Sequence, residues 1–462
     1  MTPSEPDLPA LYARHVDSMA ARFDTALVES ELDGVVIFSG EPRYYPRDDT
    51  TAPFRVDPWF AAWLPLADVP GSALVVRPGR RPLAIYRQDD DFWHAPPDDP
   101  EGYWTGHFDI EIAKSSTAAI SLLGGLSGRY AAIGAPDGGA ASNGFVDHPA
   151  LLARLDFSRA AKTDYEISCI ARANSIAATG HLAVGAAFSE DVSEYSLNQA
   201  DSGAAFGAGA SEYSLHQTYL GATGQCESEL PYASIVAMNK HAAILHYQRL
   251  DRAAPAETRS LLIDAGARFN GYAADVSRTW GAPDEGFAEL LESMETLQQT
   301  LCAEVRAGVD FVDLNERTHE LLAGVLSEHG LVNCSGDEAH ASGITRTFLP
   351  HGLGHLLGLQ VHDVGGRQSA ATGELRAAPE PHPFLRLTRV LEPGFTLTIE
   401  PGLYFIESLL RRLDPELRRM LNPDLVEHLL PFGGIRIEDN LVVEPSGARN
   451  LTREAFASLG RG

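Results

Sequence analysis

An α/β (α+β) architecture in two domains is what the sequence predicts, on three observations. The chain has 462 residues, more than one hydrophobic core commonly serves. Over residues 1–157 short apolar runs are mixed with helical patterns, as in a small α/β domain. Near residue 158 the text changes to a long helical pattern followed by paired strand signals, which opens a second, larger domain over 158–462.

The elements follow in order. Val16, Met19, Phe23 and Leu27 recur at helical spacing and predict an amphipathic helix. LDGVVIFSG (Leu32–Gly40) reads as a buried strand, and SALVVRPGRRPLAIYR as two strands joined across Pro78-Gly79. RYAAIG (Arg129–Gly134) is a further strand. The Trp- and Pro-rich stretches FRVDPWFAAWLPL and FWHAPPDDPEGYW suit packing or a subunit contact. After Leu155 comes KTDYEISCIARANSIAATGHLAVGAAF, a long helix started by Lys162–Asp164, with Ile167, Ile170 and Ala171 opening its apolar stripe. AAFSEDVSEYSLNQ (Ala186–Gln199) is then echoed by AAFGAGASEYSLHQ (Ala204–Gln217), 18 residues on. That offset is about five helical turns, so a local duplication can be absorbed in phase. It carries no chemistry by itself.

Composition narrows the function classes. The net charge of −27 and pI near 4.9 speak against nucleic acid and anionic membranes as partners, since both are polyanions. Of the 36 basic residues only Lys114, Lys162 and Lys240 are lysines, a bias that says nothing about catalysis. No run of 18 apolar residues occurs and the polar start MTPSEPDLPALYARHVDSMA resembles no signal peptide, so a cytoplasmic protein is expected. Four scattered cysteines (Cys169, Cys226, Cys302, Cys334) make no CxxC pair and are expected to be reduced and mostly buried.

The chemistry gathers in the second domain. In RSLLIDAGARFNGYAADVSRTW an apolar run ends in Asp264, RFNG makes a turn, and a second strand carries Asp275. Folding about Phe269–Asn270 brings the two carboxylates within a residue or two of register. Facing carboxylates in an apolar hairpin need protons or cations; a metal pair would serve. The competing reading is one buried, hydrogen-bonded Asp and one exposed turn Asp. LPHGLGHLLGLQVHDVGG sets His351, His355 and His362 among glycines, where backbone can approach a ligand closely. LEPGFTLTIEPGLYFI ends an apolar run in Glu400, a place where a carboxylate needs a partner. In PFGGIRIEDNLVV strand alternation puts Arg436 and Glu438 on one face, which alone fits a surface ion-pair stripe. Together Asp264, Asp275, His355, Glu400 and Glu438 form an oxygen-rich set with one nitrogen, suited to Mn²⁺, Co²⁺, Fe²⁺ or Zn²⁺.

These segments resemble the pita-bread metallopeptidases, most closely the bacterial Xaa-Pro dipeptidase (prolidase) branch with its organophosphate-hydrolysing relatives. FRVDPWFAAWLPL is similar to the N-terminal domain of that branch. LPYASIVAMNKHAAILHY, LIDAGARFNGYAADVSRTW, PHGLGHLLGLQVHD, LRLTRVLEPGFTLTIEPGLYF and PFGGIRIEDN then follow in the family's order. The resemblance implies a pita-bread catalytic domain and two divalent metals, with Mn²⁺ expected, on Asp264, Asp275, His355, Glu400 and Glu438. Two ions ~3.5 Å apart can share a water and make it a nucleophile near neutral pH. It further implies that Glu400 shuttles a proton to the leaving nitrogen and that His362 hydrogen-bonds the oxyanion. Arg386 in LRLTR would fork onto the C-terminal carboxylate of an Xaa-Pro dipeptide, with Arg389 as the other candidate. His246, His351, Arg436 and Tyr232 would line the same cavity. A homodimer is implied as well, with Asp49 of RDDTTAPFR at the mouth of the site. Aminopeptidase P chemistry on longer peptides is the near alternative, and promiscuous organophosphate hydrolysis is an expected side activity. A pita-bread protein-binding module would be expected to lack several of the five ligands, and none is missing here.

Overall fold

The computed structural model describes residues 7–135, 145–188, 209–282 and 284–460. The chain divides into two compact units: Met1–Cys169 with Phe269–Tyr272 and Gln368–Leu375, and the remainder.

The first unit opens on the helix Leu8–Glu29, capped by the Asp7 carboxylate accepting from Ala10 N at 3.2 Å. Its buried stripe contains Val16, Met19, Phe23 and Leu27, as the spacing predicts. The sheet has the order β4-β3-β2-β1-β5, from β1 (Gly34–Phe38), β2 (Ala73–Val76), β3 (Leu83–Arg87), β4 (Asp109–Ala113) and β5 (Tyr130–Ile133). β2 is antiparallel to β1 and β3, joined to β3 through Pro78-Gly79, while β1–β5 and β3–β4 are parallel. The sheet is therefore mixed, and every strand expected in this region is present. Trp59 and Trp63 pack edge-on against Phe23 at 5.6 and 5.2 Å, the packing use of aromatics. Phe92 and Trp93, from the other aromatic stretch, are exposed.

In the second unit lie β6 (Ile235–Met238), β7 (Ser260–Asp264) and β10 (Ser277–Gly281), paired in the order β10-β7-β6. Between β7 and β10 the chain turns through the short pair β8 (Arg268–Phe269) and β9 (Tyr272–Ala273). Asn270 and Gly271 both take left-handed φ (49° and 86°), which a two-residue hairpin turn demands and Asn-Gly supplies at least strain. Two further pairings complete the frame: β11 (Thr396–Ile399) with β14 (Asp439–Glu444) and β15 (Gly447–Asn450), and β12 (Gly402–Tyr404) with β13 (Gly434–Arg436). A core of Val184, Phe188, Leu215, Tyr219, Val236, Leu261, Ile263 and Trp280 backs the β6–β7–β10 sheet.

The long helix runs Asp164–Phe188. Its buried face is Tyr165, Cys169, Ile170, Ala173 and Ala177, so Ile170 lies on the stripe while Ile167 and Ala171 sit at its margin. The four cysteines are free, but only Cys169 is buried and Cys226 is exposed, against the expectation of general burial. The first copy of the duplicated stretch lies largely outside the described residues, as do residues 204–208 of the second; Glu212–Gln217 of the second start the helix Glu212–Thr223. Among the described residues no helix is long and apolar enough to cross a membrane.

A candidate metal centre

The hairpin register is the foundation of the site. Asp264 stands opposite Ser277 across β7 and β10, so Asp275 lies two residues from direct opposition, within the predicted slack. The two carboxylates share one donor: the Tyr232 hydroxyl lies 2.7 Å from Asp264 Oδ1 and 2.5 Å from Asp275 Oδ1. A third carboxylate arrives because Glu438 bridges backbone-to-backbone with Ser277. Ser277 Oγ donates to Glu438 Oε2 at 2.8 Å and accepts from Arg436 Nε at 3.1 Å. Arg436 and Glu438 thus do share a face, but it is buried, at 4% and 2% exposure, and no surface stripe.

Arg436 spreads its guanidinium over the site. Nη2 donates to Asp264 Oδ2 at 2.7 Å and Nη1 to the Tyr404 hydroxyl at 3.0 Å. Tyr404 pairs in turn with His351 Nε2 at 2.8 Å, and His351 Nδ1 lies 2.9 Å from Gly352 O. Burial pushes His351 down to about 4, so the ring is neutral at pH 7. The chain is then polarised in one sense: Arg436 donates to Tyr404, Tyr404 to His351 Nε2, and His351 Nδ1–H to the Gly352 carbonyl.

His355 is the single nitrogen ligand candidate. Its Nδ1 faces Leu356 O at 3.0 Å, which turns Nε2 toward Asp275 Oδ2 and Glu400 Oε1, each at 3.5 Å. The His355 backbone is fixed by Thr398 from both sides, N to Thr398 Oγ1 at 3.1 Å and O from Thr398 N at 2.9 Å. Gly354 makes this approach possible, since a Cβ there would run into the Thr398 carbonyl. Gly354→Ala is therefore expected to cost about 1–3 kcal/mol in stability and to lower metal content. Thermal melting and elemental analysis of the purified variant check this.

The electrostatics demand cations. With protein charges alone, burial raises Asp264 against Arg436, drives Glu438 well above the ordinary carboxylate range, and lifts Glu400 to about 7. Only Asp275 is held low, where the hydrogen bond and charge of His355, with Tyr232, outweigh its burial. Four carboxylates so placed cannot all ionise without added positive charge. One atom is decisive for the fit: Glu438 Oε1 is buried without a hydrogen-bond partner. A proton there would remove the charge but leave an O–H with nothing to donate to; a cation satisfies the oxygen directly. Asp275, His355 and Glu438 each present a ligand atom within 4.8 Å of the others, so the donor set fits a metal.

The remaining residues stand around this cluster. His362 is exposed, its ring edge-on to His355 at 4.4 Å. Desolvation in the cleft, with His355 and Arg386 nearby, pushes it down to about 4, so it is a neutral N–H donor at pH 7. Arg386 is exposed, and its main chain passes close over Gly366, where a Cβ would meet the Arg386 carbonyl. Arg389 is instead buried, paired with Glu392 at 2.8 Å and lying over Phe395 at 4.7 Å. His246 is exposed and close enough to His351 and His362 to depress both. Asp49 lies in an exposed loop of the first unit.

Sequence reasoning missed the supports. Ser277 and Tyr404 connect Arg436 to the rest, and Asn440 holds the Asp275 backbone from Oδ1 at 2.9 Å. Arg278, beside Ser277, donates to the Glu438 carbonyl and to Asp439 at 2.9 and 2.8 Å. Burial notwithstanding, Arg278 and Arg453 hold the Asp439 carboxyl far below its ordinary value. A charged pair within predicted strands, Arg278 in SRTWG and Asp439 in DNLVVE, was the available signal.

Residues 10–157 match the model for the Xaa-Pro dipeptidase N-terminal domain, and residues 168–445 match that for metallopeptidase family M24. The chain belongs to metallopeptidase family M24. Curated relatives include the Xaa-Pro dipeptidases of Stenotrophomonas maltophilia and Xanthomonas campestris. Each is 42% identical, covering 97% and 98% of this chain and 98% and 100% of those proteins. Among solved structures, proline aminopeptidase P II from Yersinia pestis and Escherichia coli aminopeptidase P with the inhibitor Pro-Leu each superpose with a TM-score of 0.68. They are 20% and 21% identical over 98% of this chain and 100% and 99% of theirs, which establishes the pita-bread fold.

Proposed function

We propose that this M24 enzyme is an Xaa-Pro dipeptidase holding two divalent ions, Mn²⁺ by preference, on Asp264, Asp275, His355, Glu400 and Glu438. The observation that carries this reading is the partnerless buried Glu438 Oε1 amid four crowded carboxylates and one oriented imidazole. The 42% identity to named Xaa-Pro dipeptidases along nearly the whole chain supports the substrate class. The metals, when bound, would supply Lewis-acid charge and make water nucleophilic at neutral pH.

The protein's own groups do the rest. An Xaa-Pro bond is a tertiary amide, so its nitrogen leaves only after receiving a proton. Glu400, beside His355, takes the proton from water and delivers it to that nitrogen. Neutral His362 donates its N–H to the oxygen of the carbonyl under attack. His351, fixed by Tyr404, and His246 bound the cavity, and exposed Arg386 forks onto the dipeptide's carboxylate. Chain length then separates this reading from aminopeptidase P, the near alternative. We also place the protein as a homodimer, with Asp49 of one chain at the mouth of the other's site.

The experiment is hydrolysis of Ala-Pro beside an Xaa-Pro tripeptide, with and without added Mn²⁺. Cleavage of the dipeptide alone, dependent on metal and lost in Asp275→Asn, is the expected outcome; preferred cleavage of the tripeptide sinks the assignment. Arg386→Ala is expected to raise KM for Ala-Pro about 10- to 100-fold, the loss of one charge-assisted contact, with a smaller effect on kcat. Equal effects on Ala-Pro and its C-terminal amide would remove Arg386 from this role.

A further inference from the structure

Away from the carboxylate cluster, one buried acid has four donors. Glu212, 2% exposed, begins the helix Glu212–Thr223 behind its N-cap Ser211. Its Oε1 accepts from Met238 N at 2.8 Å and lies 2.7 Å from His241 Nδ1. Its Oε2 accepts from the Tyr247 hydroxyl at 2.5 Å and from Asp251 N at 2.8 Å. The His241 and Tyr247 rings stack at 4.5 Å between these bonds. Glu212, His241 and Asp251 have ligand-like spacing. A carboxylate nevertheless offers about four lone-pair sites, and all four are used by the protein.

The four donors come from one loop. Met238 and Asp251 are its two ends, and His241 and Tyr247 its interior, so one carboxylate closes the arch 238–251. The arch leaves Ile244, His246, Gln248 and Arg249 exposed, and of these His246 is the imidazole. Tyr247 is 3% exposed and is the residue tied to Oε2, directly beside His246 in the chain. Whatever holds Tyr247 is therefore passed on to His246, the adjacent residue in the chain.

We propose that Glu212 is a positioning residue for the substrate cavity: by closing the 238–251 arch it holds His246 toward His351 and His362. This rests on the reading of His246 as a wall of that cavity. The residue comes from the second copy of the duplicated stretch, SEYSLHQ, to which the metal centre assigns nothing. Glutamine in its place keeps an oxygen for Tyr247 and Asp251 and can donate to His241 in its other tautomer, leaving only Met238 N unsatisfied. Alanine removes every bond.

The test uses the metal-loaded enzyme and Ala-Pro, with Glu212→Gln and Glu212→Ala in wild-type and His246→Ala backgrounds. Glu212→Ala is expected to lower kcat/KM by about 10- to 100-fold, as small misplacements of cavity groups do, and Glu212→Gln to recover most of it. In the His246→Ala background the same changes should have little further effect, because the two act as one unit. Metal per chain should stay constant. Full additivity with His246→Ala, or loss of one metal ion per chain in Glu212→Ala, overturns the proposal. Should Glu212→Ala not fold, Tyr247→Phe, which removes only the bond to Oε2, carries the same cycle in the wild-type and His246→Ala backgrounds. Amide hydrogen exchange over residues 239–251 needs no substrate. It should rise in Glu212→Ala and Tyr247→Phe even if Ala-Pro proves not to be the substrate, and unchanged exchange there would refute the arch.

Discussion

Glu438→Gln is expected to abolish metal-dependent turnover while leaving the metal-free protein as stable as before. In that state burial raises Glu438 well above the ordinary carboxylate range and so favours its neutral form, which an isosteric amide matches in charge and size. Ser277 Oγ can still donate to the amide oxygen, as it does to Oε2. The metal-free melting temperature should therefore move by no more than a degree or two, while the rise on adding Mn²⁺ should largely vanish. kcat/KM should fall at least about 1,000-fold, or roughly 4 kcal/mol of transition-state stabilisation. An active Glu438→Gln enzyme would remove Glu438 from the ligand set.

Chelation has its own signature in pH. Glu400 sits near 7 in the metal-free protein against an ordinary value near 4.5. Between those values the folded state binds more protons than the unfolded one, so stability falls as pH rises. Chelated protein should lose melting temperature from about pH 5 to 7, and metal-loaded protein should not, since cations hold the carboxylates ionised. Parallel pH series of the two forms, followed by melting, decide it; identical slopes would show that the cluster takes no charge from a metal.

The sequence made the scaffold legible where local chemistry is strong. RFNG announced the turn, and folding about Phe269–Asn270 brought Asp264 and Asp275 within a residue or two of register; the turn falls one residue later, at Asn270-Gly271, so Asp264 faces Ser277. The glycines around His355 announced close approach of backbone to a ligand; what Gly354 approaches closely is the Thr398 carbonyl of the neighbouring strand. Burial was harder to read. Arg436 and Glu438 looked like a surface stripe because alternation gives a face but not what covers it. Ser277, Tyr404, Asn440 and Glu212 stayed invisible for a related reason. Each is an ordinary polar residue whose importance comes from partners 26 to 165 positions away, such as Met238 for Glu212 and Asp275 for Asn440. Nothing local distinguishes them from solvated neighbours.

Arg436→Met should produce the second large effect, this time on stability as well as rate. The guanidinium is buried and bonds Asp264, Tyr404 and Ser277 together. Removing it strands the Asp264 carboxylate, and breaking one side of a buried pair costs about 3–5 kcal/mol. Arg436→Lys should recover only part, because a point charge reaches one of the three partners where the planar fork reaches all. The loss should be strongly non-additive with Asp264→Asn in metal-free protein: once the charge is gone, the arginine has less to neutralise, so the double variant should be more stable than the sum of the singles. Additive losses would mean that Arg436 acts through Tyr404 and His351 alone. In the metal-loaded enzyme the same substitution frees the Tyr404 hydroxyl and with it His351. Turnover of Ala-Pro should then fall even where saturating Mn²⁺ restores the fold, and that residual defect separates the arginine's part in the cavity from its part in holding the cluster together.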